Sequence, residues 1–498
     1  MGRTSTLVFF VLFYAILTNL PFWTASPLLG LMRNGLFCVE YIGIGLLALF
    51  IPRAMSGILL FLVIVADLIC GVSQTFYLSP GECLRSSSFL YLLSGPRIFL
   101  VGLIAALALL ISVIAIRFPV ARIQGVDRWI VAGCLLAFAV IPVSVDFVMV
   151  VRGTGKIPNP FRLALPTDSL KYSYLNEVWI SRVPMIRLVR NEIKSIVTND
   201  RVLASETQAS LVPSASAAGV GSAVFTANKG SQDAPNVVLV LVESWGLAED
   251  ANIRNALDQP YSQPDLTSRY DVREGTVPFF GSTVPGEARE LCESKIGFHL
   301  LNATAQELQG CLPTRLAAQG YYNIALHGMD GHMFNRRTWY SSIGFREQWF
   351  RDGFRQQGLP DCVGAFTGTC DAAVAQWIGH RLENQETNPA FVYWVTLNSH
   401  LPVPTPAPLP AADSCSVAPL LSQQPAFCSW YQLVSNVHHS VSQLALANLA
   451  RPTVFVIVGD HAPPFSNPVL RSQFSGTVVP YVVLTPRRKE QSENLALR

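Results

Sequence analysis

Two hydrophobic rhythms divide the chain. In its first third, apolar residues run almost unbroken over residues 7–23, 35–51, 55–77, 96–116 and 129–151, each about the length of a bilayer-spanning helix. The pattern predicts an α-helical membrane domain of five spans. The first run reads as a retained span, because four more follow it and no small-residue cleavage site stands out. An odd number of spans puts the large C-terminal part across the membrane from Met1. After Asn236 the rhythm shortens: β-rich apolar runs at 237–242, 322–326, 391–397, 454–458 and 478–484 alternate with helical stretches. That alternation predicts an α/β domain built on a largely parallel sheet, and Pro480 inside the last run suggests an edge strand.

Between the two rhythms, VWISRVPMIRLVRNEIKSIV at 178–197 sets apolar and basic residues at helical spacing. It suits an interfacial helix or an amphipathic helix packed on the soluble domain, kinked or started late at Pro184. Residues 204–233 are rich in Ser, Ala and Gly and read as a flexible linker. The chain thus divides into a membrane domain at 1–151, a connector at 152–235 and a soluble domain at 236–498.

Composition agrees with a chain partly in lipid: 14% of residues are charged, against roughly 25% in soluble domains. A net charge of +3 is too small to argue for nucleic acid. Arg3, Arg53, Arg117, Arg122 and Arg128 fall on one side of the five-span topology and Arg33 and Arg85 on the other, which makes the first side cytoplasmic. Arg152, Lys156 and Arg162 dilute that bias. Six of the ten cysteines lie after residue 290 with no zinc-finger spacing, which points to disulfides in an oxidising compartment. Sequential pairing, Cys292–Cys311, Cys362–Cys370 and Cys415–Cys428, is favoured over the other connectivities. Glu40, Asp67, Arg97 and Asp146 fall within the predicted spans, where ionisable groups must be paired or face water. An Arg97–Asp146 ion pair and a polar notch for a lipid headgroup are the two readings.

Candidate chemistry clusters in three places. FFGSTVPGEARELC at 279–292 sets Thr283 just before a helix, and a threonine hydroxyl needs a base, a metal or a helix N-terminus to become a nucleophile. NVVLVLVESWG ends an apolar run on Glu243, and TVFVIVGDHAPP ends another on Asp460 and His461. In an α/β sheet, ligands gather at the carboxyl ends of strands. An acid after a strand is ordinarily a solvated loop residue; three such endings together point to a metal-assisted site.

VESWG, STVPGEARELC, LPTRLAAQGYYNIALHGMDGHMFNRRTWYSSIGF, TLNSHLPVP and VFVIVGDHAPP occur in an order and spacing that resembles the membrane-bound, sulfatase-like branch of the alkaline phosphatase superfamily. That branch includes lipoteichoic acid synthases, lipid A phosphoethanolamine transferases and phosphoglycerol transferases. The resemblance implies an alkaline-phosphatase-like α/β domain. It also implies one divalent ion, Zn²⁺ or Mn²⁺, held by Glu243, Thr283, Asp460 and His461, with Thr283 as nucleophile. Arg336 resembles the family's phosphate-binding arginine, and His400 the histidine at the phosphate or leaving oxygen. Asp330 and Phe334 resemble residues that shape the headgroup pocket.

The implied activity is transfer of a headgroup phosphate, phosphoglycerol in preference to phosphoethanolamine, from a membrane phospholipid to an envelope glycan or glycolipid. It would proceed through a phosphothreonine, at the periplasmic face of a bacterial inner membrane. The alternative is a membrane-anchored phosphodiesterase or sulfatase in which water is the acceptor. No histidine follows His461, so a second metal on a later histidine is not expected. Adjacent His438 and His439 point different ways on a helix, which favours structural roles. CLPTR at 311–315 matches the C-x-P-x-R pattern of sulfatases whose cysteine becomes formylglycine, yet it lies downstream of the nucleophile stretch, so Cys311 is expected to be a disulfide partner.

Overall fold

The computed structural model describes residues 3–32, 35–92, 95–117, 125–152, 180–182, 219–221, 234–294, 297–384, 388–407 and 413–487. The chain folds as two compact units, Met1–Val202 with Phe465–Ser472, and Leu203–Pro464 with Gln473–Arg498.

In the first unit, helices α1 (Arg3–Leu29), α3 (Arg53–Thr75) and α6 (Val126–Arg152) pack around α2 (Val39–Leu47), α5 (Gly95–Arg117) packs on α1 and α3, and a short α4 (Pro80–Ser86) follows α3. Among the described residues, four segments are long and apolar enough to cross a membrane: Leu7–Leu29, Arg53–Thr75, Gly95–Ala115 and Val126–Val148. The second of the five expected spans is shorter than the sequence suggests. Its helix α2 has nine residues, about 14 Å at 1.5 Å per residue, roughly half the hydrocarbon core. The chain turns at Gly35 (φ +77°), where a Cβ would lie 2.5 Å from the Ser181 carbonyl oxygen, and enters strand β1 (Phe37–Cys38), paired in parallel with β2 (Ser181–Arg182).

The buried carboxylates of this unit serve that pairing. Asp67 accepts from Arg182 at 2.8 Å and from the Tyr41 hydroxyl at 2.7 Å. Arg182 also donates to Asn19 Oδ1 at 3.0 Å and lies 3.9 Å from the Phe22 ring centroid. Asp146 accepts from the backbone of Ile180 and Ser181 and from the Ser181 hydroxyl. Asp67 and Asp146 therefore hold the chain's own segment 180–182, a role that the apolar pattern did not suggest. Ser181–Arg182 is strand where a helix from residue 178 was expected; residues 183–218 and 222–233, with the rest of the connector helix and most of the linker, lie outside the described residues.

The second unit carries a seven-stranded sheet in the order β4-β11-β10-β3-β9-β5-β6. β3 (Asn236–Val242), β5 (Tyr322–His327), β6 (Glu347–Trp349), β9 (Ala390–Val395) and β10 (Thr453–Gly459) are parallel; β11 (Val478–Pro486) runs antiparallel to β10 and to β4 (Tyr270–Pro278), and β7 (Asp361–Cys362) and β8 (Gly368–Thr369) form a separate antiparallel pair. Every residue of β3, β9 and β10 is buried, as expected where helices cover both faces. The five predicted runs appear in order, but β11 is not the edge. Its pairing with β10 stops at Tyr481, and Pro480 faces only Thr276 of β4, so the missing N–H breaks no β10 bond.

Gly459, the last residue of β10, lies so close to the turn after β3 that a Cβ there would be 1.9 Å from the Trp245 carbonyl oxygen. Gly459→Ala is expected to destabilise the fold by about 3 kcal/mol or more, since overpacking costs roughly 1–3 kcal/mol even where neighbours can yield. Thermal unfolding of the purified variant checks this; an unchanged midpoint would show that the two turns can part freely.

Candidate active site

β3 and β10 lie side by side in register, Val242 opposite Gly459, so the residues that follow, Glu243 and Asp460, leave the sheet at one level. The backbone there is unusual. Ser244, a non-glycine residue, takes φ 57°, an uncommon conformation outside functional turns. It lets the Ser244 N–H donate to Asp460 Oδ1 at 2.7 Å and the hydroxyl to Glu243 Oε1 at 2.8 Å. The His461 N–H also donates to Asp460 Oδ1, at 2.6 Å. Thr283 opens helix α7 (Thr283–Cys292) after Ser282 as N-cap, and its Oγ1 donates to Glu243 Oε2 at 3.0 Å. Arg289 of α7 donates to the carbonyls of Gly459 (2.6 Å), Asp460 and Pro278, which fastens the helix to the end of β10.

His461 Nδ1 faces the Ala462 carbonyl at 2.9 Å, which can only accept, so in the neutral ring Nε2 carries a lone pair. That lone pair points at Glu243 Oε1 (3.4 Å) and Asp460 Oδ2 (3.3 Å). Asp460 Oδ2 is buried with no hydrogen-bond donor. Ligand atoms of Glu243, Asp460 and His461 lie within 4.8 Å of one another. Oxygen, oxygen and nitrogen acceptors converging on one point, with one orphaned, fit a divalent cation by donor chemistry and spacing. Charge balance without a cation is poor. Burial and the neighbouring Glu243 push the Asp460 carboxyl up to about 8. Burial opposes charge on His461, but Asp460 and Glu243 outweigh it and push the imidazole up to about 9. A bound cation reverses this logic, favouring both carboxylates and the neutral ring.

Among the other expected residues, Arg336, at the start of helix α8 (Arg336–Ser342), is buried, and its Nε and Nη2 engage Glu287 at 3.2 and 2.9 Å. Glu287 stands one turn beyond Thr283 on α7 and also accepts from the Tyr340 hydroxyl at 2.6 Å. Nη1 takes no part in that pair. Phe334 and Asn335 both take positive φ, 53° and 54°, and the Phe334 ring lies 5.4 Å from the Arg336 guanidinium. Asp330 is part-exposed and accepts from the His332 backbone and ring. His400 Nδ1 faces the Leu401 carbonyl at 2.7 Å; when protonated, His400, next after the opposing effect of burial, holds the Glu243 carboxyl below the usual range. The structure thus joins Glu243, Thr283, Asp460 and His461 directly, links Arg336 to the helix that opens on Thr283 through Glu287, and leaves Asp330 paired with a neighbour.

Two residues were missed. Glu287 is one of several polar residues in the stretch 279–292 and carries no signal of its own in the sequence. His327 ends β5 as Glu243 follows β3; its strand-end position in YNIALHG was the available signal. It donates from Nδ1 to Val395 O at 3.0 Å, and burial, then Arg336, pushes it down to about 3. The three disulfides are Cys292–Cys311, Cys362–Cys370 and Cys415–Cys428. Cys311 is therefore not available to become formylglycine. His438 packs edge-on against Trp245 and Tyr261, whereas His439 faces Asp413, separate structural partners as expected.

Comparison with curated proteins finds no match. Among solved structures, an alkaline phosphatase superfamily protein from Vibrio parahaemolyticus shares 16% identity (TM-score 0.36), over 52% of this chain and 61% of that one. The lipoteichoic acid synthase LtaP from Listeria monocytogenes shares 15% (0.33), over 51% and 66%. The Streptococcus pyogenes phosphoglycerol transferase GacH in complex with sn-glycerol-1-phosphate shares 17% (0.33), over 53% and 71%. This chain spans less than two thirds of the first two. Residues 235–497 match the family model described as Sulfatase, and the chain belongs to the Sulfatase family.

Proposed function

We propose that the protein is a membrane-anchored phosphotransferase. It takes the headgroup phosphate from a phospholipid, phosphatidylglycerol in preference to phosphatidylethanolamine, and passes it through phosphorylated Thr283 to a hydroxyl of an envelope glycan or glycolipid. The observation that carries this is the Thr283 hydroxyl, at the positive end of α7, 3.0 Å from a carboxylate of a buried Glu/Asp/His cluster. A helix N-terminus and a cation site both favour alkoxide over alcohol. The apolar helices suit a lipid donor, and the paired cysteines suit a periplasmic active site.

In this reading Glu243, Asp460, His461 and Thr283 hold one Zn²⁺ or Mn²⁺, which when bound lowers the hydroxyl pKa and neutralises phosphoryl oxygens. Thr283 Oγ1 attacks phosphorus as the bond to the glyceride oxygen breaks. The threonine proton ends on the departing diacylglycerol, carried by His400 Nε2, which bears the ring's lone pair when Nδ1 donates to the Leu401 carbonyl. Arg336 Nη1 binds a phosphoryl oxygen while Glu287 holds the other edge of the fork. Phe334 and Asp330 line the headgroup, and His327, kept neutral, accepts from its hydroxyls. An acceptor hydroxyl then attacks the phosphothreonine, its proton passing through His400 to Thr283 Oγ1 as the bond from phosphorus to Oγ1 breaks.

Thr283→Ala is expected to abolish diacylglycerol release from radiolabelled phosphatidylglycerol while costing only about 1 kcal/mol of stability, the worth of one hydrogen bond. Peptide mass spectrometry should find the headgroup-phosphate adduct on Thr283. An adduct elsewhere, or full activity in the variant, would sink the nucleophile assignment; release of free glycerol phosphate without acceptor modification would favour the hydrolase.

Glu243→Gln, Asp460→Asn and His461→Ala should each reduce the metal retained after dialysis, by tenfold or more in affinity on the order of 1.4 kcal/mol per decade. Elemental analysis measures it, and unchanged metal in all three would place the ion elsewhere.

A further inference from the structure

We propose that Phe366, in the loop closed by the Cys362–Cys370 disulfide, is a positioning residue that holds the His400 imidazole at its working angle. The role given to His400 rests on the transferase reading. The loop is a tight hairpin, Asp361 paired with Thr369 and Cys362 with Gly368, and the disulfide seals its base. From it the half-buried Phe366 meets the His400 ring edge-on, with centroids 4.9 Å apart at 81°.

The loop is fixed to both strand ends that flank the site. On the β5 side, Thr369 N–H donates to Gly328 O at 2.9 Å. A Cβ on Gly368 would lie 2.4 Å from Gly328 O, and one on Gly328 2.7 Å from Thr369 O, so the two backbones are in direct contact. On the β9 side, Asp371, one residue past the disulfide, accepts from Leu397 N–H and Asn398 N–H, and Asn398 Oδ1 accepts from Asp371 N–H at 2.8 Å. His400 lies two residues beyond that clamp. Its Nδ1 bond goes to the adjacent Leu401, which selects the protonated nitrogen but moves with the ring's own backbone. Phe366 adds a contact from outside that segment. An aromatic edge contact restricts the ring plane, and small errors in the placement of a proton carrier are costly in rate.

The test uses the full-length protein in detergent. Phe366→Ala is expected to lower kcat for diacylglycerol release roughly three- to tenfold, the worth of an aromatic pair, with KM and bound metal unchanged; Phe366→Tyr should restore it. In a His400→Ala background Phe366→Ala should add no further loss. In protein carrying ¹⁵N-labelled histidine, Phe366→Ala should shift the His400 ring signals and the joint Cys362→Ser, Cys370→Ser variant should do the same. Additive losses in the double variant, or unchanged ring signals, overturn the proposal. No release by the wild type from either lipid overturns the transferase reading instead, and the ring signals still decide whether Phe366 holds the imidazole.

Discussion

Two carboxylates and an imidazole lone pair, sealed from water within 4.8 Å of each other, repel one another unless positive charge joins them. Burial alone disfavours an ionised carboxylate, and a second one beside it disfavours it further. Backbone N–H groups of Ser244 and His461 take up one oxygen of Asp460 and leave the other without a donor. That asymmetry gives the cluster a direction: the satisfied oxygen anchors the side chain, and the orphaned one faces the point where the acceptors meet.

Keeping such a cluster closed requires a backbone that cannot relax away from it. Ser244 stays in the left-handed region because its amide and hydroxyl both bind the carboxylates, a local strain that the surrounding contacts over-determine. Gly459 allows the two strand-end turns to touch, and Arg289 reaches across from α7 to the Gly459 carbonyl at 2.6 Å. Behind Arg289, Glu290 accepts from the Gly221 N–H at 3.1 Å. The helix that presents Thr283 is thus tied to the strand that presents Asp460 and to the segment 219–221.

The strand-end chemistry was legible because it is local. A buried parallel strand shows as an apolar run, and the first polar residue after it must lie at the sheet's edge, so Glu243, Asp460 and His461 could be read directly. What escaped depends on distant partners. β4 carries Asp271, Arg273 and Glu274 on an edge, where charge suits a strand but hides its apolar pattern, and β6 has only three residues. The apolar run around α2 matches a span in composition; its shortness is imposed by pairing with Ser181–Arg182, more than a hundred positions away. Glu287 is one more polar residue in a helix until Arg336, 49 positions on, closes over it.

That last pair changes what the arginine can do. A guanidinium can offer two parallel donors from either edge of its fork, and Glu287 already holds the Nε and Nη2 edge, which leaves the side of Nη1. With both groups buried, removing the carboxylate would leave an uncompensated charge, a loss of about 3–5 kcal/mol. Arg336 therefore does not swing to meet a substrate. It stands fixed through Glu287 to the helix that carries Thr283, so in the proposed transfer a phosphoryl group on Nη1 and the Thr283 hydroxyl would keep their relation without reorganisation, the condition under which fixed charges favour a transition state most.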